Sequence, residues 1–442
     1  MTPTHQRFTG MFGFILVWIG QIISLLGTTM TGFGLTIWAF EKTGSATALT
    51  LVGFFFVTPM LIFSPIAGAI VDRYNRKFLM ILSDLISGLT SIFILIMVIG
   101  GYLQIWHLYL TCFIQGIFQT FQWPAYSAAI STMLPKEQFG RANGMMGLAD
   151  SASGVLGPLL AGALLGIIGL KGILIIDIIT FLIAIGTLLI VFIPQPKTTI
   201  EGQKSRGNLW SESVFGFRYI LERPSLLGLQ LVFLIGNFFF SIPVSILSPM
   251  ILASTQNNEM MLASVNSAGA IGGVVGGLVM SAWGGPKRRV HGVLLGWVFS
   301  SLAFVVLGAG RNLPIWVIAN FVSMFFSIMV NASNQSIWQS KVEPDVQGRV
   351  FAIRRLIAWF VNPLALLIAG PLADHLFEPA MKEGGALASS FSWLVGVGPG
   401  RGMALIFVIF GSLAAISSAC AYFFRVIRDA EIILPDHDTL EG

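Results

Sequence analysis

Long apolar runs constrain this chain more than any other feature of its sequence. About twelve of them are long enough for a helix to cross a ~30 Å hydrocarbon layer, which takes about 20 residues. Their limits are 12–40, 46–71, 78–100, 106–133, 143–168, 172–193, 225–253, 261–283, 291–310, 314–340, 352–376 and 403–425. The runs are continuously apolar rather than short and alternating, so they are not strands of a membrane barrel. Only 10% of the residues are charged, against about 25% in a soluble domain, and the mean hydropathy is +0.83. The expected fold class is an all-α membrane protein with twelve transmembrane helices. Arg7 precedes apolar sequence from Met11 without a small-residue cleavage site, so the first run reads as an uncleaved span.

Lys and Arg accumulate in cytoplasmic loops and so report orientation. With both termini cytoplasmic, that side holds Arg7; Arg73, Arg76 and Lys77; Lys136 and Arg141; Lys197, Lys204, Arg206, Arg218 and Arg223; Lys287, Arg288 and Arg289; Lys341, Arg349, Arg354 and Arg355; and Arg425 and Arg428. Of the 25 Lys and Arg, only Lys42, Lys171, Arg311, Lys382 and Arg401 remain for the other side. A wrong span count would scramble this alternation. The net charge of +5 is therefore the bias of an oriented membrane protein and carries no nucleic-acid reading. Cys112 and Cys420 both lie in apolar runs, with no zinc spacing and no expected disulfide.

One segment breaks the rhythm. Residues 194–224 are polar and basic, with Pro194, Pro196, Gly202 and Gly207, and Phe215, Phe217, Tyr219 and Leu221 predict a short amphipathic helix near its end. This is a cytoplasmic linker between two six-helix bundles, 1–193 and 225–428, followed by a cytoplasmic tail at 429–442. The halves read as repeats. Gly140-Arg141 before the fifth span matches Gly348-Arg349 before the eleventh, and Gly284–Arg289 after the eighth matches Asp72–Lys77 after the second. Parallel repeats of this kind are related by an axis along the membrane normal, with a substrate path between them.

The stretch Gly68–Lys77 is the most charged turn between spans. It packs Asp72, Arg73, Arg76 and Lys77 into six positions. Charges beside apolar spans need water or a partner. The reading favoured here is a charged latch, in which Asp72 and Arg76 reach the neighbouring half. Asp72 could instead face a helix N-terminus, the positive end of its dipole, near Phe351. Asp84, about two turns into the third span, is a partner for Arg73 or Arg76. The alternative is a solvated turn that only sets topology.

At this point the sequence resembles the major facilitator superfamily. Gly68–Lys77 is similar to that superfamily's loop signature, except that Asn75 stands where Gly is usual; Asn tolerates the left-handed conformation, so the turn survives. Ser153–Gly162, with Gly154, Gly157, Pro158 and Gly162, resembles the fifth-span motif of drug:proton antiporters, with Ala161 replacing one Gly. It reads as a hinge or a tight helix seam, against routine glycine packing. Gly348-Arg349-Val350 and Gly370–Asp374 resemble the branch that includes macrolide-efflux proteins and enterobactin exporters. The resemblance implies two six-helix bundles in the cell (inner) membrane. It also implies a small-molecule substrate and a monomer as the working unit.

In that superfamily the first, fourth, seventh and tenth spans line the cavity. Here they carry neutral polar sets at helical spacing: Gln21, Ser24 and Thr28; Gln115, Gln119 and Gln122, followed by Trp123 and Tyr126; Asn237, Ser241 and Ser245 beside Phe240; and Asn331, Asn334, Gln335 and Trp338. Burying an amide without a partner costs a few kcal/mol. These faces therefore meet water, substrate or each other. Aromatic rings beside amides suit an amphipathic organic molecule, and the absence of Asp, Glu, Lys and Arg from the middles of these spans indicates a neutral or zwitterionic, bulky one. The alternative is hydrogen bonding within the bundle, worth about 0.6 kcal/mol a contact.

Proton coupling needs a titratable group at depth. Asp150, before Gly154, is the first candidate and Asp84 the second, while Asp177 and Asp374 read as interface residues. The five histidines fall at termini or span edges. No phosphate-cradling loop, metal-ligand cluster or catalytic constellation is present. No cofactor is expected, the proton gradient supplying the energy. The expected function is a secondary active transporter, an exporter of a drug, natural product or siderophore driven by protons. The alternatives are an importer or uniporter of a nutrient, a lipid flippase, and a non-transporting membrane sensor or assembly partner.

Overall fold

The computed structural model describes residues 8–43, 46–196, 199, 209–256 and 258–437. Arg7, Lys197, Lys204, Arg206, Gly202 and Gly207, named above, lie outside them. The described residues form helices: α1 Gly10–Thr43, α2 Ala46–Arg73, α3 Arg76–Gly100, α4 Ile105–Met133, α5 Phe139–Ile190, α6 Leu209–Leu221, α7 Pro224–Ser245, α8 Leu247–Ser254, α9 Glu259–Trp283, α10 Arg289–Ala309, α11 Leu313–Lys341, α12 Gln347–Pro371, α13 Ala388–Val395, α14 Arg401–Ala421, α15 Arg425–Arg428 and α16 Ala430–Ile433. Phe8 and Val191 make an isolated β-bridge.

Among the described residues, ten helical stretches are long and apolar enough to cross a membrane. The difference from twelve has two local causes. The stretch Lys136–Ile190 runs for 55 residues, but Gly169 interrupts α5 with φ 65° and ψ 179°, which only a residue without Cβ adopts readily. α4 has the length, 29 residues, but its glutamines, serines and threonines keep it outside the ten. The seventh apolar run also divides, at Ile246, into α7 and α8.

Two compact units divide the chain. The first comprises Met1–Phe139, Ala152–Tyr219 and Val342–Leu356; the second comprises Gly140–Ser151, Ile220–Lys341 and Ile357–Gly442. Each unit thus takes a short piece from the other half of the sequence, which the boundaries expected at 193 and 225 did not anticipate.

In the first unit, α1 packs on the second limb of α5 through a seam of small residues. Gly20, Gly27 and Gly34 recur every seventh residue and meet Thr187, Thr180 and Ile173. A Cβ at Gly20 would lie 2.2 Å from Thr187 Oγ1, and one at Gly27 would lie 2.2 Å from Thr180 Oγ1 and 3.0 Å from Asp177 Oδ1. Glycine here is a condition of approach, since bundles in lipid associate by close packing rather than by expulsion of water. Met30, Ala161 and Ile173 form the apolar core beside the seam. The linker helix α6 forms where Phe215–Leu221 predicted one, but its buried face is Glu212, Gly216, Tyr219 and Ile220, with Phe217 and Leu221 exposed. The alternate-residue pattern of aromatics is not the buried face, because a helix repeats every 3.6 residues.

In the second unit, α9 uses glycine in the same way. Cβ atoms at Gly272 and Gly276 would press on the Phe321 and Phe325 carbonyls of α11, 2.2 and 2.7 Å away. Phe304, Phe407 and Trp316 anchor the core among α10, α14 and α11. The tail after α14 folds back onto this unit. Lys341 Nζ donates to the Glu431 and Leu434 carbonyls and pairs with Asp436 at 2.8 Å, while Glu431 Oε2 accepts the Val290 N–H at 2.9 Å. Asp429, hydrogen-bonded by Arg428, is held below the usual carboxylate range.

The seam predicts a contrast between two glycines of one helix. Gly27→Ala forces α1 away from Asp177 and Thr180 and should cost about 1–3 kcal/mol, the usual cost of overpacking. Gly32→Ala, with nothing within 4 Å of its added Cβ, should leave thermal unfolding of the detergent-solubilised protein unchanged or slightly raised.

Candidate functional site

The charged turn is built around the N-terminus of α12. The first N–H groups of a helix have no partner inside it and carry the positive end of its dipole. Asp72, at the end of α2, supplies that partner. Its carboxylate accepts the Gly348 and Arg349 backbone N–H groups at 2.7 and 2.9 Å and the Arg349 Nε–H at 2.9 Å. Both side chains are almost wholly buried, at 2% and 4% exposure. Close approach is again a matter of glycine: a Cβ at Gly68 would lie 2.6 Å from the Gly348 carbonyl, and one at Gly348 would lie 2.5 Å from Asp72 Oδ1. The Ser64 hydroxyl donates to the Ala352 carbonyl, and Ser131 to Gln347 Oε1.

The other charges of the turn are spent separately. Arg76 is buried and donates to the Ala128 and Pro344 carbonyls. Arg73 forms two 2.9 Å hydrogen bonds with Glu212 of α6. Lys77 donates to the Leu189 and Val191 carbonyls at the end of α5. Asp84 meets neither Arg73 nor Arg76, which corrects the pairing expected from sequence. Asn75 is also not left-handed. At φ −62° and ψ 117° it is extended, and its side chain caps α3 by accepting the Phe78 N–H.

Asp84 instead lies between two amides drawn from the first and fourth spans. Gln21 Nε2 donates to Asp84 Oδ2 at 2.8 Å; Gln122 Nε2 donates to Asp84 Oδ1 and to Gln21 Oε1, both at 3.0 Å. Among the described residues no Lys, Arg or His pairs with Asp84, which is 7% exposed. Gln122 Oε1 is buried with no hydrogen-bond partner among them. Two turns along the same helices a second polar layer follows. Ser91 and Thr28 donate to Asp177 at 2.7 and 3.3 Å, and Gln115 donates to Thr90 at 2.6 Å. Asp177 is 4% exposed, closed in by these helices. Ser24 is buried and Gln119 half-buried on these faces. Trp123 carries the Arg355 guanidinium 5.0 Å from its ring centre, and Tyr126 lies 6.3 Å from Phe14.

The polar sets of the second half are placed differently. Asn237 Nδ2 reaches the Ala358 carbonyl at 3.4 Å, and Ser241 donates to Asn362 at 2.7 Å. Phe240 stacks on Phe304 at 4.5 Å, inside the core. Trp338 donates to Asn334, both buried, and Gln335 is buried beside them, while Asn331 is exposed. Asn143 bonds Ser336 and Gln339 at 3.1 and 2.7 Å. The repeat is visible here. Arg141, the counterpart of Arg349, donates to the Ser281 carbonyl at 3.1 Å, and Gly140 presses on Gly284. The loop after α9 has no acid, so a backbone carbonyl takes the place of Asp72. Of the fifth-span motif, Gly157 packs on Thr29 while Gly154 and Gly162 meet nothing within 4 Å, and Pro158 lies inside α5. Asp150 is exposed.

Residues 17–366 match the Major Facilitator Superfamily. The chain belongs to that superfamily. It is a multi-pass membrane transporter rather than an enzyme. Macrolide efflux protein A of Streptococcus pyogenes is 26% identical over 366 residues, covering 82% of this chain and 90% of that protein. Multidrug efflux pump Tap of Mycolicibacterium fortuitum is 26% identical over 377 residues, covering 80% and 90%. Among solved structures, a bacterial homologue of the iron transporter ferroportin in its outward-facing state has a TM-score of 0.67 at 11% identity, covering 93% of this chain and all of that one. The human organic anion transporter MFSD10 has a TM-score of 0.61 at 17% identity, covering 92% and 98%. Both share the fold.

Two partners in this major facilitator site were not legible beforehand. Arg349 and Glu212 sit in separate polar segments, and only the fold brings them to Asp72 and Arg73. Asp72→Ala leaves Arg349 buried without its acid and should cost about 3–5 kcal/mol. Asp72→Asn keeps one acceptor for the α12 N–H groups and should cost less; thermal unfolding of the two variants measures the difference.

Proposed function

We propose that this transporter exports a bulky amphipathic compound in exchange for protons, by alternating access of a twelve-span fold with cytoplasmic termini and as a monomer. Splitting α5 at Gly169 and counting α4 supports twelve spans, and the Lys and Arg census supports their orientation. Two relatives named for macrolide and multidrug efflux, each 26% identical, support export and the substrate class. The Asp72–Arg349 contact serves as the latch, because opening the cytoplasmic side separates a buried charge from its partner.

The buried Gln21–Asp84–Gln122 cluster carries the proton reading. An ionisable residue within a span and without a counter-charge is a functional site by default. An ionised Asp84 accepts two amide N–H bonds. A protonated Asp84 has an O–H to donate, and an amide must then present oxygen; Gln122 Oε1 is the vacant acceptor. Proton arrival therefore reorients amides on α1 and α4, two of the four helices that line the substrate path in this superfamily. Asp150, solvent-accessible on α5, is the weaker site for a proton that must not leak.

The test is uptake of radiolabelled erythromycin, as a macrolide probe, into inside-out membrane vesicles with an imposed proton gradient. Wild type should accumulate it and lose accumulation with a protonophore. Asp84→Asn should equilibrate the probe without accumulating it, and Asp150→Asn should still accumulate. Undiminished accumulation by Asp84→Asn would refute the coupling role.

A further inference from the structure

The Asp84 cluster is one of two polar layers, each built around a single buried carboxyl. Gln21 and Thr28 on α1, Asp84 and Ser91 on α3, and Gln122 and Gln115 on α4 are each seven residues apart, about two turns or ~10 Å. The second layer closes on Asp177, brought in from α5 by the glycine seam. Gly27 lets that carboxylate within 3.0 Å of where its Cβ would stand. Ser91 and Thr28 donate to the two oxygens of Asp177, as Gln122 and Gln21 do to those of Asp84. The Phe181 ring seats on Gly88, which lies between Asp84 and Ser91 on α3, and a Cβ there would lie 2.3 Å from it.

We propose that Asp177 is a second proton-binding carboxyl in series with Asp84, so that each proton crosses the first unit in two steps. This extends the coupling role of Asp84. A proton taken up by the Asp177 carboxylate from the side away from the Arg73–Lys77 turn is carried by water admitted past Phe181 to the ionised Asp84, and Asp177 is then free to take the next. Donation by neutral hydroxyls alone makes this exchange reversible, because no cation holds Asp177 in its ionised form. The surrounding elements leave few competitors. α1 has no ionisable side chain between Gly10 and Phe40, and α3 has Asp84 beyond Arg76 and Lys77 at its start. α4 has Tyr109, Cys112, Tyr126 and His107, whose ring lies 5.7 Å from that of Phe93 on α3. α5 has Arg141, Asp150 and the exposed Lys171. A structural role alone would need only an acceptor for Ser91 and Thr28, which asparagine also supplies.

The test needs no knowledge of the substrate. Infrared difference spectra of the purified protein, taken while pH is stepped across its folded range, report protonated carboxyls by their C=O stretch. Wild type should show, among the bands of its buried carboxyls, one from Asp84 and one from Asp177. Asp177→Asn should lose one and keep the other; Asp84→Asn should do the reverse; Ser91→Ala should shift only the Asp177 band. Loss of no titrating band in Asp177→Asn overturns the proposal whatever Asp84 does. Loss of no band in Asp84→Asn instead strikes at the coupling site and leaves the Asp177 band to stand or fall by itself. In vesicles, Asp177→Asn should slow proton-driven erythromycin uptake several-fold while leaving unlabelled-for-labelled exchange intact; equal loss of both overturns the relay.

Discussion

A polar group sealed away from water must find its partner inside the protein, and this constraint governs most of the contacts described above. Asp72 meets it with the unpaired N–H groups and the arginine of a helix that begins far away in sequence. Asp84 and Asp177 meet it with amides and hydroxyls from neighbouring helices. These solutions need helices close together, and glycine provides the approach in two of them: Gly68 and Gly348 beside Asp72, Gly27 beside Asp177. Charge, hydrogen bonding and backbone proximity are therefore one design here rather than three.

The two halves apply that design unequally. In the first unit a carboxylate neutralises the arginine that opens α12. In the second, the equivalent Arg141 is given a backbone carbonyl. A dipole is a weaker partner for a guanidinium than a formal charge, so the two ends of the repeat differ in how firmly they hold. The acid is supplied by the first half alone, and the arginine comes from a segment that packs with the first unit although it belongs to the second half.

How much of this could be read beforehand follows from the range of each interaction. The all-helical membrane fold was legible because it rests on long hydrophobic runs. The suspicion that Asp72 faces the helix near Phe351 was close, since only the start of that helix offers donors there. Gln21 and Gln122 were legible as a polar face, but their common target was not. Asp84 was assigned to arginines because buried charges usually pair with opposite charge, and the structure uses amides instead. Asp177 reads from sequence as an interface residue because it lies near the end of an apolar run; the seam along α1 gives it partners within the bundle. The glycines of α1, spaced by seven, were the missed signal. They mark which helix face meets α5, and Asp177 lies on the opposite side of that seam.

The proposed coupling requires Asp84 to exchange a proton as substrate comes and goes. The direct measurement is proton release by the purified, weakly buffered protein when erythromycin is added. Wild type should release protons on binding, and Asp84→Asn, still binding the compound, should release none. Equal release from the two proteins would contradict it.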